Sequence, residues 1–337
     1  FFSRRSVIDP LKNRKDELAG LPAAPTAETV LGLARMREAR GDFGAHVALD
    51  FFLEKAVRDR MSANGSIDRN GAIRAEGEIG VVDSSTPFDA RAALDLFRLA
   101  GHGFIINVNG RHFELAEQTV LNGFLPLFQA RGNASPAMAQ FAAELPEQSF
   151  ASGPDTIWIN HFWSAELVDP ARELTVRVES DFPKSGKVVV RLAMKKPQDF
   201  TLRIRKPLWT PREVSLTVNG EPVAEPLKDI REYIPLRQVW KNGDVIELTL
   251  PFRLQAKEIP GGRRVVFFHG PLLLGAILPQ GAAAPTLDAT NPDEAARALR
   301  PGGRPGTFLA KGTNGDIELA PVQNLKGGAW TSAFALK

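Results

Sequence analysis

The chain has 337 residues, 43% of them hydrophobic and 24% charged, and its 42 basic and 39 acidic side chains leave a formal net charge of +3. This length and composition are typical of a globular protein with room for two domains, and so small a charge argues against an extended nucleic-acid-binding face. The sequence has no cysteine, which excludes disulfides, thiolate nucleophiles and cysteine-ligated zinc.

The first residues, "FFSRRSVIDP", contain neither an initiator methionine nor the layout of a signal peptide. We therefore expect the chain to be part of a longer protein, and the sequence leaves its compartment open. No apolar run reaches the roughly 18 residues that a membrane span needs, so we expect no contact with a membrane.

Residues 24–150 show the 3.6-residue period of helices. The first predicted helix is "AETVLGLARMREARGD", capped by Thr26, and the second is "VALDFFLEKAVRDRM". Apolar spacing predicts two more, over 90–97 and 116–127. A fifth begins at "NASPAMAQFAAEL", where Ser135 suits the N-cap and Pro136 suits the first helical position.

A glycine-rich segment, "SANGSIDRNGAIRAEGEIGVVDSSTP", separates the second and third predicted helices. It is long for a loop in a compact domain, and long loops often carry function.

Residues beyond 155 alternate apolar and polar side chains with the period of two that is typical of strands. "GKVVVRLAM" and "DFTLRIRKP" are examples, and "VNGE" is a strong signal for a tight turn between two strands. A helical half followed by a β half predicts an α+β multidomain protein, with part of an α-toroid followed by an antiparallel β-sandwich. We expect three regions: helices over 1–152, the β-sandwich over 153–280, and a Pro/Gly-rich excursion with terminal strands over 281–337 that pack on the β region.

Several acidic residues in and after the glycine-rich segment are candidates for catalysis: Glu76, Glu78, Asp83 and Asp89. Glycoside hydrolysis commonly uses two carboxyl groups on either side of the scissile bond, one of them acting as an acid. The alternative is a polar surface loop in which these acids have no chemical role.

The five histidines show no spacing typical of a metal site, so no metal or other cofactor is expected. His161 lies within "DTIWINHFWSAEL", close to Trp158 and Trp163. Aromatic rings stack on sugar rings, and these three side chains therefore form a candidate saccharide subsite. The alternative is a core strand at a domain junction. The sequence has no phosphate-binding loop, no dinucleotide fingerprint and no serine-hydrolase elbow.

The β half carries a series of phrases in a familiar order, which includes "DTIWINHFWSAEL", "FTLRIRKPLW", "VSLTVNGEPV", "VWKNGDVIELTLPF" and "RRVVFFHGPLLLGA". Together with "LGLARMREARGD" and "ELAEQTVLNGFL" in the helical half, this order resembles glycoside hydrolase family 127, the β-L-arabinofuranosidase-like group. The resemblance covers about residues 24–330. It implies an (α/α)6 barrel joined to β-sandwich domains, and hydrolysis of terminal furanosides with retention.

The resemblance also implies a cysteine nucleophile held on zinc by a glutamate and further cysteines, with a separate glutamate as acid/base. Glu76 or Glu78 falls where the family has a functional glutamate, and Asp89 falls near the position of a cysteine. Ala134 and Ser135 fall on the family's adjacent cysteine pair. No cysteine is present, so the chain resembles a divergent member whose activity, if any, does not use cysteine.

We therefore expect a glycosidase that acts on terminal furanoside, pentose or deoxy-sugar residues of a glycan. Glu78 or Glu76 would be the general acid/base, with Asp89 as its partner and the three aromatic side chains near the sugar. The alternative is a non-catalytic carbohydrate-binding or structural relative. The expected partner is a carbohydrate rather than nucleic acid, with a homo-oligomer through the β-sandwich as a further option.

Overall fold

The computed structural model describes residues 4–86, 88–131, 136–211, 214–223, 232–260, 262–279 and 281–337. The helices are α1 Arg5–Lys12, α2 Ala23–Arg40, α3 Phe43–Leu53, α4 Ala90–Asn107, α5 His112–Thr119, α6 Leu125–Arg131, α7 Pro136–Glu144 and α8 Pro292–Arg297. Two π-helical turns, Glu54–Arg58 and Val120–Phe124, follow α3 and α5, and two short 3-10 turns span Leu145–Gln148 and Val322–Asn324.

The strands lie mainly in the second half of the chain. They are β1 Asp68–Arg69, β2 Ala72–Ile73, β3 Phe150–Ser152, β4 Thr156–Ile159, β5 Ala165–Asp169, β6 Leu174–Ser180, β7 Lys187–Met194, β8 Gln198–Arg205, β9 Ser215–Val218, β10 Glu221–Pro222, β11 Tyr233–Trp240, β12 Val245–Thr249, β13 Leu254–Ile259, β14 Arg264–His269, β15 Leu272–Leu278, β16 Thr286–Leu287, β17 Arg300–Pro301, β18 Phe308–Gly312, β19 Gly315–Pro321, β20 Ala329–Thr331 and β21 Ala333–Leu336.

The described residues form two compact units. The first contains those of 1–107, 115–139 and 254–337, and the second contains those of 108–114 and 140–253. The first unit thus combines most of the helices with the C-terminal strands. The predicted domain boundaries after residues 152 and 280 stay a prediction.

In the first unit, α2 shows why its start is hard to place from sequence. Thr26 was expected to cap this helix, but α2 begins at Ala23, four residues earlier than predicted, and the Thr26 side chain is buried. Pro25 is tolerated there because the first N–H groups of a helix have no intrahelical acceptor. The helix ends at Gly41 in the left-handed conformation, with φ of 69°.

The C-terminal strands of the first unit pair in a closed circuit. β14 pairs with β21 and β15, β21 with β16, β16 with β18, β18 with β19, and β19 with β15. The buried side chains of this region include Phe267, Leu274, Leu319 and Phe334. Because the circuit closes, these strands leave few backbone groups to solvent.

The second unit has a six-stranded sheet in the order β10-β9-β12-β7-β6-β5 and a four-stranded sheet in the order β11-β8-β4-β3. Strand β7 buries Val188, Val190, Leu192 and Met194 at alternate positions, as its sequence pattern predicted. The predicted tight turn is also confirmed. Asn219 and Gly220 join β9 to β10 with φ of 53° and 83°, and this requires residues that tolerate positive φ.

A mixed α+β architecture with several sheets is therefore confirmed. The toroid and the sandwich stay predictions at this point. The fifth predicted helix is present as α7, which begins at Pro136, while its proposed cap Ser135 lies outside the described residues, as does Ala134. No helix in the described part of the chain is long and apolar enough to cross a membrane.

Candidate functional site

The two candidate glutamates lie on an exposed turn of the first unit. The Glu76 side chain is 59% exposed and pairs with Lys55 at 2.8 Å, and its hydrogen bond is the main cause of the raised pKa of that lysine. Glu78 pairs with Arg69 at 2.7 Å. Each carboxylate is therefore bound to a cation at the surface.

Asp89 has a different structural role, at the start of α4. Its Oδ1 accepts hydrogen bonds from the backbone N–H groups of Arg91 and Ala92, both at 3.0 Å. This is the geometry of an N-cap, which satisfies N–H groups that have no acceptor within the helix. Among the described residues, no donor binds both Asp89 and either glutamate. The assignment of these three carboxylates to catalysis stays a prediction.

The aromatic candidates lie in the second unit. Trp158 is half-buried on β4. His161 is completely buried, stacked on Trp163 with 4.0 Å between ring centroids and edge-on to Phe113 at 5.1 Å. Trp163 in turn donates from Nε1 to Ser149 at 2.8 Å. A ring enclosed in this way has no free face for a sugar, and the role of these side chains in binding stays a prediction.

Both ring nitrogens of His161 are buried without a hydrogen-bond partner in the described part of the chain. Burial lowers the pKa of His161 well below its usual 6.5, and the nearby positive charge of Arg205 adds to this effect. The imidazole is therefore neutral near pH 7. Arg205 is itself fully buried, and it donates to Glu114 at 2.7 Å and to the carbonyl of Asn160 at 2.6 Å.

A cavity of about 600 Å³ lies within the first unit, a volume suited to a small ligand. Its lining combines amide, hydroxyl, aliphatic and aromatic side chains with one carboxylate and one lysine: Asn64, Val82, Asp83, Ser84, Thr86, Phe88, Asn122, Gly123, Pro126, Leu127, Gln129, Val322, Gln323, Leu325, Lys326, Gly327, Gly328 and Trp330. The glycine-rich segment thus supplies one wall and the 3-10 turn with β20 supplies another.

One wall of the cavity is the π-helical turn Val120–Phe124. A β-carbon on Gly123 would lie 2.3 Å from the Phe88 ring and 2.7 Å from the carbonyl oxygen of Asn64, so only glycine fits. Asn122, in the same turn, bridges β15 by donating to the Pro271 carbonyl and accepting from the Leu273 N–H. Such π turns occur often at functional sites, where they change the direction of a helix wall.

The opposite wall depends on backbone pairing between distant parts of the chain. Ser84 N–H donates to the Trp330 carbonyl at 3.0 Å, and Trp330 N–H donates to Ser84 Oγ at 3.2 Å. Ser332 N–H donates in addition to the Val82 carbonyl. Residues 82–84 therefore extend the edge of β20, and this pairing holds Trp330 at the cavity.

Gln323, one of the residues that line this cavity, has a polar side-chain atom without a hydrogen-bond partner in the described part of the chain. The residue is only 8% exposed, and its Oε1 is buried and accepts no hydrogen bond from any residue that the structure describes. A buried amide oxygen without a donor is costly and calls for an explanation, such as a donor supplied by a ligand or water. Asn64 adds an amide whose oxygen accepts from Ser66 N–H at 3.1 Å.

The only carboxylate in this lining is Asp83. Its Oδ1 accepts from the N–H and Oγ of Ser85 and from the Oγ1 of Thr86, at 2.7–2.9 Å. Hence the described lining does not contain the pair of carboxyl groups that a glycosidase typically uses.

The zinc that the family resemblance implies does not fit this chain. Its thiolate ligands are missing because the sequence has no cysteine. Within the described ranges, no three His, Asp or Glu side chains form a group that could hold a metal ion.

A second cavity of about 670 Å³ lies between the end of β15 and the β18–β19 turn, also in the first unit. Its charged side chains include Arg304, paired with Glu318 at 3.0 Å, and Asp316, paired with Arg300 at 2.7 Å. With its charges neutralised in this way, the cavity offers no group that singles out a ligand.

Sequence reasoning missed Asn64, Gln323 and Trp330. The first lies in the glycine-rich segment that was predicted to be functional, and the type of residue alone did not distinguish it. The other two lie in a region interpreted as terminal strands, and the pairing of β20 with residues 82–84 is what brings Trp330 to the cavity.

Comparison with known proteins agrees with this architecture. Residues 156–252 match the family model described as the β-L-arabinofuranosidase GH127 middle domain. A search of curated proteins returns no match.

Three solved structures share the fold. One is titled glycoside hydrolase. It has a TM-score of 0.77 and 17% identity, and the match covers 95% of this chain and 67% of that chain. The GH127 β-arabinofuranosidase BT3674 has a TM-score of 0.77 and 18% identity, and the match covers 100% of this chain and 62% of that chain. Ara127N-Se, a GH127 β-L-arabinofuranosidase from Geobacillus stearothermophilus T6, has a TM-score of 0.78 and 14% identity. The match covers 97% of this chain and 62% of that chain.

Residues 156–252 thus match the GH127 middle domain, and the chain shares the fold of solved GH127 structures. In this sense it is a GH127-like protein, as the sequence resemblance predicted. It spans about two thirds of the length of the solved proteins that it matches.

Proposed function

We propose that this chain binds carbohydrate in the cavity lined by Asn64, Gln323 and Trp330, without cysteine-dependent hydrolysis. The observation that carries the proposal is the buried oxygen of Gln323, which has no donor in the described part of the chain. A sugar hydroxyl is a donor of the right kind, because it can donate to one oxygen while it accepts from an amide.

The aromatic side chains of the cavity support the same ligand class. Phe88 and Trp330 line the cavity, and Phe88 is fixed edge-on against Phe124 with 5.3 Å between centroids. The C–H faces of a sugar ring pack against aromatic rings, while amides at the side bind the hydroxyls. The titles of two similar structures name β-arabinofuranosidase activity for those proteins, so arabinofuranosyl-terminated glycans are the first ligands to test.

The finer architecture belongs to the same proposal. The helices of the first unit would be part of an (α/α)6 toroid, and the two sheets of the second unit would form a β-sandwich. The likeness of the fold to GH127 structures supports this assignment.

A homo-oligomer through the sheets is a weaker proposal, because the six-stranded sheet carries exposed ion pairs. They join Arg177 to Glu166 and Arg191 to Glu179, and charged faces disfavour a dry interface.

Hydrolysis is the second candidate, since the solved structures with this fold are titled as glycosidases. In that case Glu78 or Glu76 would be the acid/base and Asp89 its partner, acting on a terminal furanoside, pentose or deoxy-sugar. Both glutamates would first have to leave their ion pairs with Arg69 and Lys55.

The experiment is a calorimetric titration with arabinofuranosyl-terminated oligosaccharides, together with an assay on a panel of aryl glycosides. We expect saturable binding that Gln323→Leu weakens about tenfold, the effect of one lost hydrogen bond of above-average strength. Gln238→Leu, at an exposed glutamine of β11 outside this lining, is the matched control. No binding by the wild type, or equal binding by both variants, would contradict the proposal.

The aryl-glycoside panel separates the two candidates. We expect no turnover by the wild type. Turnover that Glu78→Gln or Glu76→Gln abolishes would favour the hydrolase over the binding protein.

A further inference from the structure

Among the described residues, three arginine side chains are almost completely buried: Arg60, Arg74 and Arg205. Burial of a guanidinium is costly unless a carboxylate and further acceptors compensate its charge and its five N–H donors. Two of the three follow this rule. Nη2 of Arg60 donates to both carboxylate oxygens of Asp16 at 2.9 Å, and the same side chain donates to two backbone carbonyls. Arg205 pairs with Glu114.

Arg74 is the exception. It is 4% exposed, and its side chain makes one hydrogen bond within the described ranges, from Nη1 to the Ser66 carbonyl at 3.0 Å. No carboxylate oxygen of a described residue lies within 4.0 Å of its nitrogens. Nε and Nη2 of Arg74 make no hydrogen bond to a described residue, and neither is among the buried side-chain atoms without a partner, so both keep some contact with solvent and are open to a partner from solution.

The two carboxylates near Arg74 are occupied elsewhere. Asp68 accepts from Ser66 Oγ at 2.7 Å and from Gly71 N–H at 3.0 Å, and Glu78 pairs with Arg69. Burial lowers the pKa of Arg74. The negative charges of Asp68 and Glu78 favour the charged guanidinium, but neither carboxylate is hydrogen-bonded to it. Their attraction thus compensates part of the charge and none of the free N–H donors.

The guanidinium of Arg74 packs directly against Gly80, which has no side chain. A β-carbon at that position would lie 2.6 Å from Nη2 of Arg74, so a side chain there would displace the arginine head group. Gly80 N–H donates to Ser62 Oγ at 3.1 Å, which fixes the backbone over the guanidinium. Residues 75–77, which follow Arg74 in the chain, are exposed, so the arginine lies close to the protein surface.

We propose that Arg74 is the centre of a binding site for a single anionic group, beside the backbone of Gly80. The shared chemistry is a carboxylate, sulfate or phosphate, whose oxygens match the guanidinium fork. The group could belong to a charged sugar, such as a uronate, or be a free inorganic anion. This proposal does not depend on carbohydrate binding in the cavity.

The test is calorimetric titration of the whole chain, at constant ionic strength, with sodium sulfate, sodium phosphate, D-galacturonate and neutral D-galactose. We expect saturable binding of at least one anion, which Arg74→Gln weakens about tenfold or more, as for a lost hydrogen bond to a charged group. Arg69→Gln, an exposed arginine of the same segment, should bind as the wild type does. Galacturonate binding well above sulfate would identify a charged sugar as the source, and the reverse would identify a free anion.

Two results would overturn the proposal: no saturable binding of any anion by the wild type, or equal binding by the Arg74 and Arg69 variants. If Arg74→Gln does not fold, the side-chain Nε–H resonance of Arg74 in the wild type decides the question. A saturable shift of this resonance with the anion supports the site, and a shift confined to exposed arginines contradicts it.

Discussion

Phe88 lies so close to Gly123 that a β-carbon on Gly123 would stand 2.3 Å from the Cε2 atom of the phenylalanine ring. The two residues come from different walls of the same cavity: Phe88 directly follows the glycine-rich segment, and Gly123 lies in the π-helical turn. Their contact sets the width of the cavity at this point, and it explains why the helix carries a glycine there.

Gly123→Ala should therefore destabilise the protein and change the cavity. We expect a loss of about 1–3 kcal/mol in the free energy of unfolding, the usual cost of overpacking, measured by urea denaturation. The control is Gly32→Ala in α2, where a β-carbon would meet nothing within 4 Å. That variant should gain about 0.5–1 kcal/mol, because alanine is the better helix former. Equal effects of the two substitutions would show that the contact with Phe88 is unimportant.

Gln323→Leu should raise stability while it lowers sugar binding. Replacing a buried acceptor that has no donor removes a cost of about 1–3 kcal/mol in the unliganded protein. Thermal unfolding without ligand should thus show a higher midpoint for the variant, although the same variant binds sugar less well. A lower midpoint would indicate that Gln323 has a structural hydrogen bond, and that its oxygen is not kept for a ligand.

Asp89 offers a clear distinction between a cap and a catalyst. If Asp89 acts only as an N-cap, the Asp89→Asn variant should be as stable as the wild type, because asparagine caps helices as well as aspartate does. The Asp89→Ala variant should lose about 1 kcal/mol in the free energy of unfolding. If this carboxylate were catalytic, both variants would lose activity, because neither asparagine nor alanine can replace its charge. Loss of glycosidase turnover in a stable Asp89→Asn variant would contradict the cap as the sole role.

The pH dependence of stability should reflect His161. Its pKa is lowered in the folded protein by burial and by Arg205, so below about pH 6.5 the unfolded chain binds a proton that the folded chain does not. The free energy of unfolding should thus fall as the pH drops from 6.5 towards 5, with a slope of up to about 1.4 kcal/mol per pH unit from this group.

His161→Phe isolates the effect, since phenylalanine suits the aromatic surroundings of Trp163 and Phe113 and does not titrate. His269, whose pKa is also lowered by burial, is present in both proteins and cancels in the difference. Urea unfolding at several pH values should give a shallower acid slope for the variant. Identical slopes would mean that His161 is not the group responsible.

Much of the local structure could be predicted from sequence. The alternation in β7 and the Asn219–Gly220 turn follow from side-chain period and backbone preference, which are local properties. The start of α2 was misplaced because Thr26 is a good cap by type, yet Pro22 and Pro25 allow the helix to begin earlier. The glycine-rich segment was recognised as a candidate functional region, and it does line the cavity.

The composition of the site could not be predicted in the same way. Trp330 reaches the cavity because residues 82–84 pair with β20, and a single sequence does not specify such long-range pairing. The acidic residues show the converse. Glu76 and Glu78 have the right chemistry for catalysis, but Lys55 and Arg69 hold them at the surface, and ion-pair partners cannot be inferred from residue type.

The measurement that tests the central claim most directly compares Trp330→Ala with Trp163→Ala in calorimetric binding of an arabinofuranosyl-terminated oligosaccharide. Trp330 lies in the cavity, and Trp163 belongs to the aromatic group of the second unit. We predict that Trp330→Ala weakens binding about tenfold, from the loss of one stacking contact, and that a folded Trp163→Ala protein binds like the wild type. Undiminished binding by Trp330→Ala, with loss in Trp163→Ala, would contradict the account.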